Sequence, residues 1–136
     1  MEDCIFCKVI KKEIPRYKVY EDDDVLGILD INPTRHGHVL VFPKKHMKNF
    51  EDADENTLSK IMAVVKKLGL QVKEKLPAES YNVVVNNDEA AGQIIPHIHF
   101  HIIPRNTNDG VFDRWPSYQY KEGRASEITA KILGNL

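Results

Sequence analysis

Long apolar runs and an excess of charge of either sign are both missing from this chain of 136 residues. No stretch approaches the ~20 consecutive apolar residues that a membrane-spanning helix needs. The formal net charge is only -1 although 29% of the residues are charged, so the chain lacks the broad basic surface on which non-specific nucleic-acid binding depends. These absences predict a protein that binds neither a membrane nor nucleic acid.

Cysteine is equally scarce, with only Cys4 and Cys7 in the chain. A single domain of this length buries roughly two-thirds of the surface of its unfolded chain and needs no disulfide framework. The N-terminal residues lack the basic region and the apolar run of a secretory signal, so we expect a cytoplasmic protein. In that compartment a Cys-x-x-Cys pair indicates a metal-binding or redox pair more than a structural disulfide.

Apolar periodicity predicts an α+β fold, in which an antiparallel sheet carries one long helix on one face. Helical spacing runs from Asp54, which can act as the N-cap, to Leu76, which precedes Pro77. A short terminal helix is expected at residues 125–133. Strands are expected at residues 18–21, 25–30, 38–42 and 81–86, and a fifth strand would contain three of the six histidines. Short connections between these strands favour antiparallel pairing.

Three of the six histidines alternate with large apolar residues between Pro96 and Pro104. Successive side chains of a strand point to opposite faces, so His97, His99 and His101 would form one row while the apolar residues face a core. Neutral imidazole can act as a nucleophile, a general base or a metal ligand near neutral pH. The pattern therefore predicts a functional site, and by itself it leaves open whether the chemistry is nucleophilic or metal-dependent.

Together with the segments around it, this pattern resembles the histidine triad family, whose signature is His-φ-His-φ-His-φ-φ with φ an apolar residue. Residues 97–103 match every position of that signature. Further matching segments lie upstream, at residues 5–8, 13–15, 30–33 and 43–46. The resemblance implies one histidine triad domain over residues 1–136, with a core at about 4–105 and a C-terminal tail at 106–136. It also implies a five-stranded antiparallel sheet with one long helix and a short C-terminal helix.

The resemblance implies an enzyme that acts at the α-phosphate of nucleoside monophosphate derivatives, with a purine nucleotide as substrate. His99 would attack phosphorus and form a covalent nucleotidyl-histidine that water then hydrolyses, which divides one difficult displacement into two easier ones. His101 and His38 would contact the phosphate or the leaving group, and the resemblance leaves open which of them is the general acid. The implied nucleotide-binding residues are Phe6, Asp30, Ile31, Asn86, Gly92 and Gln93.

Zinc is a further implication of the resemblance, because related zinc-containing members hold the metal with ligands that match Cys4, Cys7, His46 and His97. Four protein ligands close a tetrahedral shell and leave no position for water or substrate, so the implied ion is structural. The resemblance also implies a homodimer, for which the aromatic tail around Trp115 offers apolar contact surface.

Two positions bear on the choice of activity within the family. Position 94 is isoleucine, where well-known Hint-type members carry a serine that meets the phosphate. Asn86 resembles the Hint-like branch, whereas Fhit-type members favour glutamine there, so hydrolysis of nucleoside phosphoramidates is the first expectation. The alternatives are a Fhit-type dinucleoside polyphosphate hydrolase, a nucleotide-binding regulator with incidental turnover, and a hydrolase whose three histidines hold a catalytic metal.

Overall fold

The computed structural model describes residues 3–111 and 115–134. In chain order the elements are helix α1 (Ile5–Ile10), strands β1 (Lys18–Glu21), β2 (Val25–Leu29) and β3 (Val39–Pro43), helix α2 (Glu55–Lys75), strand β4 (Ser80–Val85), a 3-10 turn (Glu89–Ala91), strand β5 (Phe100–Arg105) and helix α3 (Arg124–Leu133). Among the helices in these two ranges, none has the length and apolar character that crossing a membrane requires.

The strands form one sheet in the order β1-β2-β3-β5-β4, and every neighbouring pair is antiparallel. Strand β5 lies between β3 and β4, so the histidine segment enters the sheet near its centre. In the β3–β5 pair Leu40 lies opposite His101 and Val39 lies opposite Ile102. The expected α+β fold, with a five-stranded antiparallel sheet, one long helix and a short C-terminal helix, is confirmed.

The two faces of the sheet pack against different helices, as the alternation of side chains along β3 requires. Val39 and Val41 belong to a core shared with the apolar side chains of α2. Leu40 and Phe42 point the other way and pack with Phe6 of α1. Helix α2 begins where the sequence predicts, because the Asp54 carboxylate accepts a hydrogen bond of 2.8 Å from the backbone N–H of Thr57.

The histidine segment differs from the expectation of one continuous strand. Strand β5 begins at Phe100, so His101 is the only one of its three histidines inside the strand. The backbone N–H of His97 donates to the carbonyl of Ile95 at 2.8 Å, and the next N–H donates to Met47 at 2.8 Å. These bonds delay the start of the regular strand until Phe100, but the predicted alternation of faces is kept. Ile98, Phe100 and Ile102 pack in the core with α2, whereas His97 and His99 both contact Phe6 and His99 contacts His101.

Helix α1 is an element that the sequence pattern did not predict. It has only six residues, too few for apolar periodicity to distinguish it from an irregular segment. Cys4 is its N-cap, and the Cys4 Sγ accepts the backbone N–H of Cys7 at 3.4 Å. The helix therefore brings both cysteines to one side of its first turn.

The C-terminal tail runs over the surface after Arg105. The Arg105 guanidinium donates two hydrogen bonds to the Asp109 carboxylate, at 2.8 and 2.9 Å, which fixes the first turn of the tail. Trp115 and Tyr118 are 85% and 91% exposed, and α3 has no buried residue. The aromatic tail is therefore available to solvent in the single chain.

Candidate active site and metal centre

A cavity of about 440 Å³ opens on the face of the sheet that packs against α1. Seven of the residues named from the sequence line it: Phe6, Asp30, His38, Asn86, Gly92, His99 and His101. Five further lining residues were not predicted to bind nucleotide: Asn32, Thr34, Leu40, Ile94 and Ile95. Asn32 belongs to the matching segment 30–33, which was a signal for it, whereas Thr34 lies just beyond that segment.

The side chain of His99 is buried and oriented by the backbone. Its Nδ1 lies 2.8 Å from the carbonyl oxygen of His97, and since a carbonyl oxygen only accepts, Nδ1 carries the proton. The other ring nitrogen, Nε2, is then left with its lone pair. Burial lowers the pKa of His99, which favours the neutral ring. His99 is thus held as a neutral imidazole with an unprotonated Nε2 at the cavity.

His38 and His101 are hydrogen-bonded to each other, and a third residue, Thr34, determines which of the two rings donates. The backbone N–H of Thr34 donates to His38 Nδ1 at 3.1 Å, so this nitrogen is an acceptor and the proton of neutral His38 sits on Nε2. His38 Nε2 lies 2.9 Å from His101 Nδ1 and donates to it. His101 Nδ1 is therefore also an acceptor, which leaves the proton of neutral His101 on Nε2.

The pKa values of both histidines of this pair lie below the ordinary value. Burial is the main cause, and it lowers the pKa of His101 to about 4, with further contributions from the neighbouring rings of His99 and His38. Burial also lowers the pKa of His38, against the opposing effect of the Asp30 carboxylate. The pair is consequently uncharged near neutral pH in the free protein.

Asp30 stands at the end of β2 beside this pair. One carboxylate oxygen accepts the backbone N–H of Asn32 at 2.9 Å, and the other lies 3.8 Å from His38 Nε2. The side chain lines the cavity and keeps part of its surface exposed. The second oxygen can therefore accept a hydrogen bond from a bound molecule. Ile31 follows in the chain and is largely exposed, but it does not line the cavity.

Gln93 braces the loop that borders the cavity. Its side-chain oxygen accepts the backbone N–H of Asp88 at 2.8 Å, and its Nε2 donates to the carbonyls of Lys48 and Ile95 at 2.7 and 3.0 Å. Beside it Gly92 has φ +97°, a conformation that favours glycine. Gln93 does not line the cavity, so its expected contact with nucleotide stays a prediction.

Cys4, Cys7, His46 and His97 converge in a second cluster, where their ligand atoms lie within 4.8 Å of one another. The Sγ atoms of Cys4 and Cys7 lie 3.4 and 3.7 Å from His97 Nδ1, and Cys7 Sγ lies 3.4 Å from His46 Nδ1. Zinc bonds of ~2.3 Å to sulfur and ~2.1 Å to nitrogen in a tetrahedron place S and N about 3.6 Å apart. The observed separations fit that geometry.

The tautomer of His97 also suits a metal ligand. Its Nε2 donates to the carbonyl oxygen of Pro43 at 2.8 Å, so Nδ1 faces the cysteines with its lone pair. Burial lowers the pKa of His97 to about 4, which keeps the ring neutral. His97 thus belongs with the cysteines, and within the described residues the three histidines of the signature do not converge on one point.

Comparison with known proteins gives a consistent result. The HIT domain family model matches residues 11–108. An uncharacterised HIT-like protein of Methanocaldococcus jannaschii is 50% identical over 79% of this chain and 82% of its own length. An adenosine 5'-monophosphoramidase of Schizosaccharomyces pombe is 40% identical over 95% of this chain and 98% of its own length. A zinc-bound histidine triad protein of Mycobacterium smegmatis superposes with a TM-score of 0.78 at 30% identity, covering 99% of both chains. The chain therefore belongs to the histidine triad (HIT) family.

Proposed function

We propose that this protein hydrolyses nucleoside 5'-phosphoramidates at the α-phosphate, through a covalent nucleotidyl-His99 intermediate. The observation that carries the proposal is the hydrogen bond from His99 Nδ1 to the His97 carbonyl, which leaves the Nε2 lone pair at the cavity. Neutral imidazole needs no separate base before it attacks phosphorus. The similarity to an adenosine 5'-monophosphoramidase supports this choice of substrate class.

In the first step His99 Nε2 forms a bond to phosphorus while the bond from phosphorus to the leaving nitrogen breaks. The leaving amine takes a proton, because its departure as an anion is very unfavourable. His101 is the proposed proton donor: the phosphate of the bound substrate favours the imidazolium form of the His38–His101 pair, and the hydrogen-bond direction of the pair places the transferable proton on His101 Nε2. Water then attacks phosphorus and gives a proton back to the His38–His101 pair, while the bond from phosphorus to His99 Nε2 breaks. This releases the nucleoside monophosphate and restores neutral His99.

The positive charge that His99 acquires in the intermediate has an acceptor already in place. Once Nε2 is bonded to phosphorus, the ring carries its proton on Nδ1 and becomes cationic. The His97 carbonyl, 2.8 Å from Nδ1, stabilises that cation as it forms, and a hydrogen bond to a charged group is stronger than one between neutral groups. Asp30 is the proposed acceptor for the ribose hydroxyls.

We also propose that Cys4, Cys7, His46 and His97 hold one zinc ion. When bound, zinc would supply a rigid link between α1 and the segment that precedes β5, with no open coordination position. The three sulfur–nitrogen separations described above and the tautomer of His97 support it. We also propose a homodimer, which the exposed aromatic tail supports. The mass of the protein in solution, measured by light scattering, tests whether it is a dimer.

Two substrates separate the proposed activity from its nearest alternative. Purified protein is given adenosine 5'-phosphoramidate or diadenosine triphosphate under the same conditions, and release of AMP is followed by chromatography. We expect kcat/KM for the phosphoramidate to exceed that for the dinucleotide by at least about tenfold, with protein quenched in alkaline denaturant carrying an adenylyl group on His99. A preference for the dinucleotide would favour the Fhit-type activity. Absence of turnover with both would favour the regulator.

Binding of a phosphate ester is expected to be coupled to proton uptake. The pKa of His101 is about 4 in the free protein, and a phosphate anion beside the ring favours the imidazolium and raises that pKa. The complex therefore binds more protons than the free protein, and affinity rises as the pH falls from about 7 to about 5. The methyl ester of AMP suits calorimetry in two buffers, because its phosphate does not titrate in this range.

His36 supplies the control for this prediction, since it is an exposed histidine outside the cavity. His101→Gln should abolish the proton uptake, whereas His36→Gln should retain it. A Kd for the wild-type protein that does not change over the same pH interval would contradict the prediction, and so would uptake that persists in His101→Gln.

A further inference from the structure

A second cavity lies next to the active site and has no role in the steps above. Its volume is about 760 Å³, which is large enough for a group the size of a small organic molecule. It shares two lining residues, Gly92 and Ile94, with the active-site cavity. The two cavities are therefore neighbours along the loop that precedes His97, and the second one is called the loop groove below.

The loop groove lies where the leaving group of a bound substrate would extend. This step rests on the proposed function, which places phosphorus at His99 and the ribose at Asp30. With the nucleoside extending toward Asp30, the other substituent on phosphorus has to exit past a different side of the active-site cavity. Gly92 and Ile94 border that cavity and open into the loop groove, so the leaving group has a path into it.

Apolar surface is unusually exposed along this path. Ile94 is 91% exposed although it lines both cavities, and Pro96 on the same loop is exposed as well. Covering apolar surface contributes about 25 cal/mol per Å², so an alkyl chain lying on Ile94 and Pro96 gains binding free energy. A serine at position 94, as in the Hint-type members described above, would offer no comparable apolar contact.

The charged residues of the loop groove are unequal in number, with two carboxylates, Asp88 and Glu89, against one ammonium, Lys48. Asp88 accepts a hydrogen bond of 2.8 Å from Asn49. Across residues 3–111 and 115–134, neither Glu89 nor Lys48 has an ion-pair partner. The groove therefore presents a net negative charge to whatever enters it.

We infer that the loop groove binds the leaving amine, and that it favours amines whose apolar chain ends in a positive charge. The alkyl chain of the amine packs on Ile94, and the carboxylates of Glu89 and Asp88 attract its cationic end. Ile94 and Glu89 are thus specificity-determining residues for the leaving group. They act on binding and orientation of the amine, whereas His99 and His101 carry the bond changes.

Four adenosine 5'-phosphoramidates test the inference, with ammonia, pentylamine, cadaverine and 5-aminopentanoate as the leaving amines. For the wild-type protein we expect kcat/KM to fall in the order cadaverine, pentylamine, 5-aminopentanoate. The first and last should differ by about fivefold at low salt and by less at high salt, because exposed charge pairs contribute little more than about 1 kcal/mol. The ratio of pentylamine to ammonia measures the apolar contact.

Two variants assign these effects to residues. Ile94→Ser should lower the ratio of pentylamine to ammonia by about threefold, the loss expected for one partly covered apolar side chain. Glu89→Lys should invert the order of cadaverine and 5-aminopentanoate. The control is Glu74→Lys, which makes the same change of charge at an exposed position of α2 away from both cavities, and it should retain the wild-type order.

The ammonia substrate distinguishes the two ways in which the inference can fail. If it is hydrolysed but the three longer amines react alike, and neither Ile94→Ser nor Glu89→Lys changes their ratios, the loop groove is not the leaving-group site. The same conclusion follows if Glu74→Lys changes the order as much as Glu89→Lys does. If no substrate of the series is hydrolysed, the proposed function is wrong and the inference falls with it.

Discussion

Replacement of His99 by glycine is expected to lower kcat/KM for adenosine 5'-phosphoramidate by at least about 10⁴-fold, as removal of a nucleophile does in other covalent mechanisms. The reason lies in the orientation of the ring. His99 Nε2 is the ring nitrogen that the hydrogen bond to the His97 carbonyl leaves unprotonated, and the neighbouring His101 has its Nδ1 engaged by His38. No other imidazole of the cavity is oriented in the same way.

Free imidazole should restore part of the activity of His99→Gly. The lost ring is buried and packs edge-to-face against Phe6, with ring centroids 5.0 Å apart, so the substitution leaves a space of imidazole shape. An imidazole bound there can attack phosphorus and be released as the nucleotidyl-imidazole, which hydrolyses in solution. Rescue that saturates with imidazole concentration identifies the missing group as the nucleophile, whereas a merely structural defect would not respond.

His36→Gly is the matched control for this experiment, because it removes an exposed imidazole. It should have wild-type activity, and added imidazole should not raise it. The prediction is contradicted if His99→Gly keeps more than about one-tenth of the wild-type kcat/KM while its zinc content and thermal unfolding are unchanged. It is also contradicted if quenching of the wild-type enzyme in alkaline denaturant shows the adenylyl group on another residue.

Elements with strong local signals could be predicted closely from the sequence. The long helix extends over Glu55–Lys75 with Asp54 as N-cap, because a capping carboxylate and an apolar stripe both act within a few residues. Strand β1 has the predicted bounds of 18–21, since the turn that follows it at Asp22 is polar. Each of these features depends on neighbours in the chain and not on distant contacts.

The roles of the three signature histidines could not be read from their spacing. Alternation predicts a common face for them, and the contacts agree, because the apolar residues between them pack with α2 while His97 and His99 contact Phe6 and His99 contacts His101. A shared face does not distinguish the roles of the three rings. The tautomers of two of the rings depend on distant partners: Pro43 for His97, and Thr34 acting through His38 for His101. Such partners come from the tertiary fold, which local periodicity does not encode.

Gln93 and Ile94 illustrate the same limit at the scale of one loop. Both residues come directly after Gly92 in the chain. Gln93 is buried and its amide is hydrogen-bonded to three backbone groups, whereas Ile94 is almost fully exposed. Residue type alone favours the opposite arrangement, with the amide outside and the isoleucine inside. The backbone bonds of Gln93 offset the cost of burying it, and they turn Ile94 outward.

Loss of the zinc ion proposed for the Cys4, Cys7, His46 and His97 cluster is the second change with a large expected effect. Its main effect should be a lower stability of the folded protein. Wild-type protein prepared without chelator should contain about one zinc per chain, because four ligands with fitting separations close a tetrahedral shell. Removing the metal should lower the free energy of unfolding by at least about 3 kcal/mol, the stabilisation that a ligand gives at a hundred times its Kd. Activity should decline with it, since the His97 backbone carbonyl orients His99.

The double variant Cys4→Ala/Cys7→Ala separates zinc binding from other effects of the two side chains. It should contain no zinc, and its midpoint of thermal unfolding should not respond to zinc or chelator, whereas the wild-type midpoint should fall with chelator and recover with zinc. His36→Ala, which removes a histidine outside the cluster, should behave as wild type. If the wild-type protein purified without chelator lacks zinc and its unfolding is unaffected by added metal, the cluster is a pair of thiols beside two imidazoles. In that case the orientation of His99 depends on two hydrogen bonds alone. One joins the His97 ring to the Pro43 carbonyl, and the other joins the His99 ring to the His97 carbonyl.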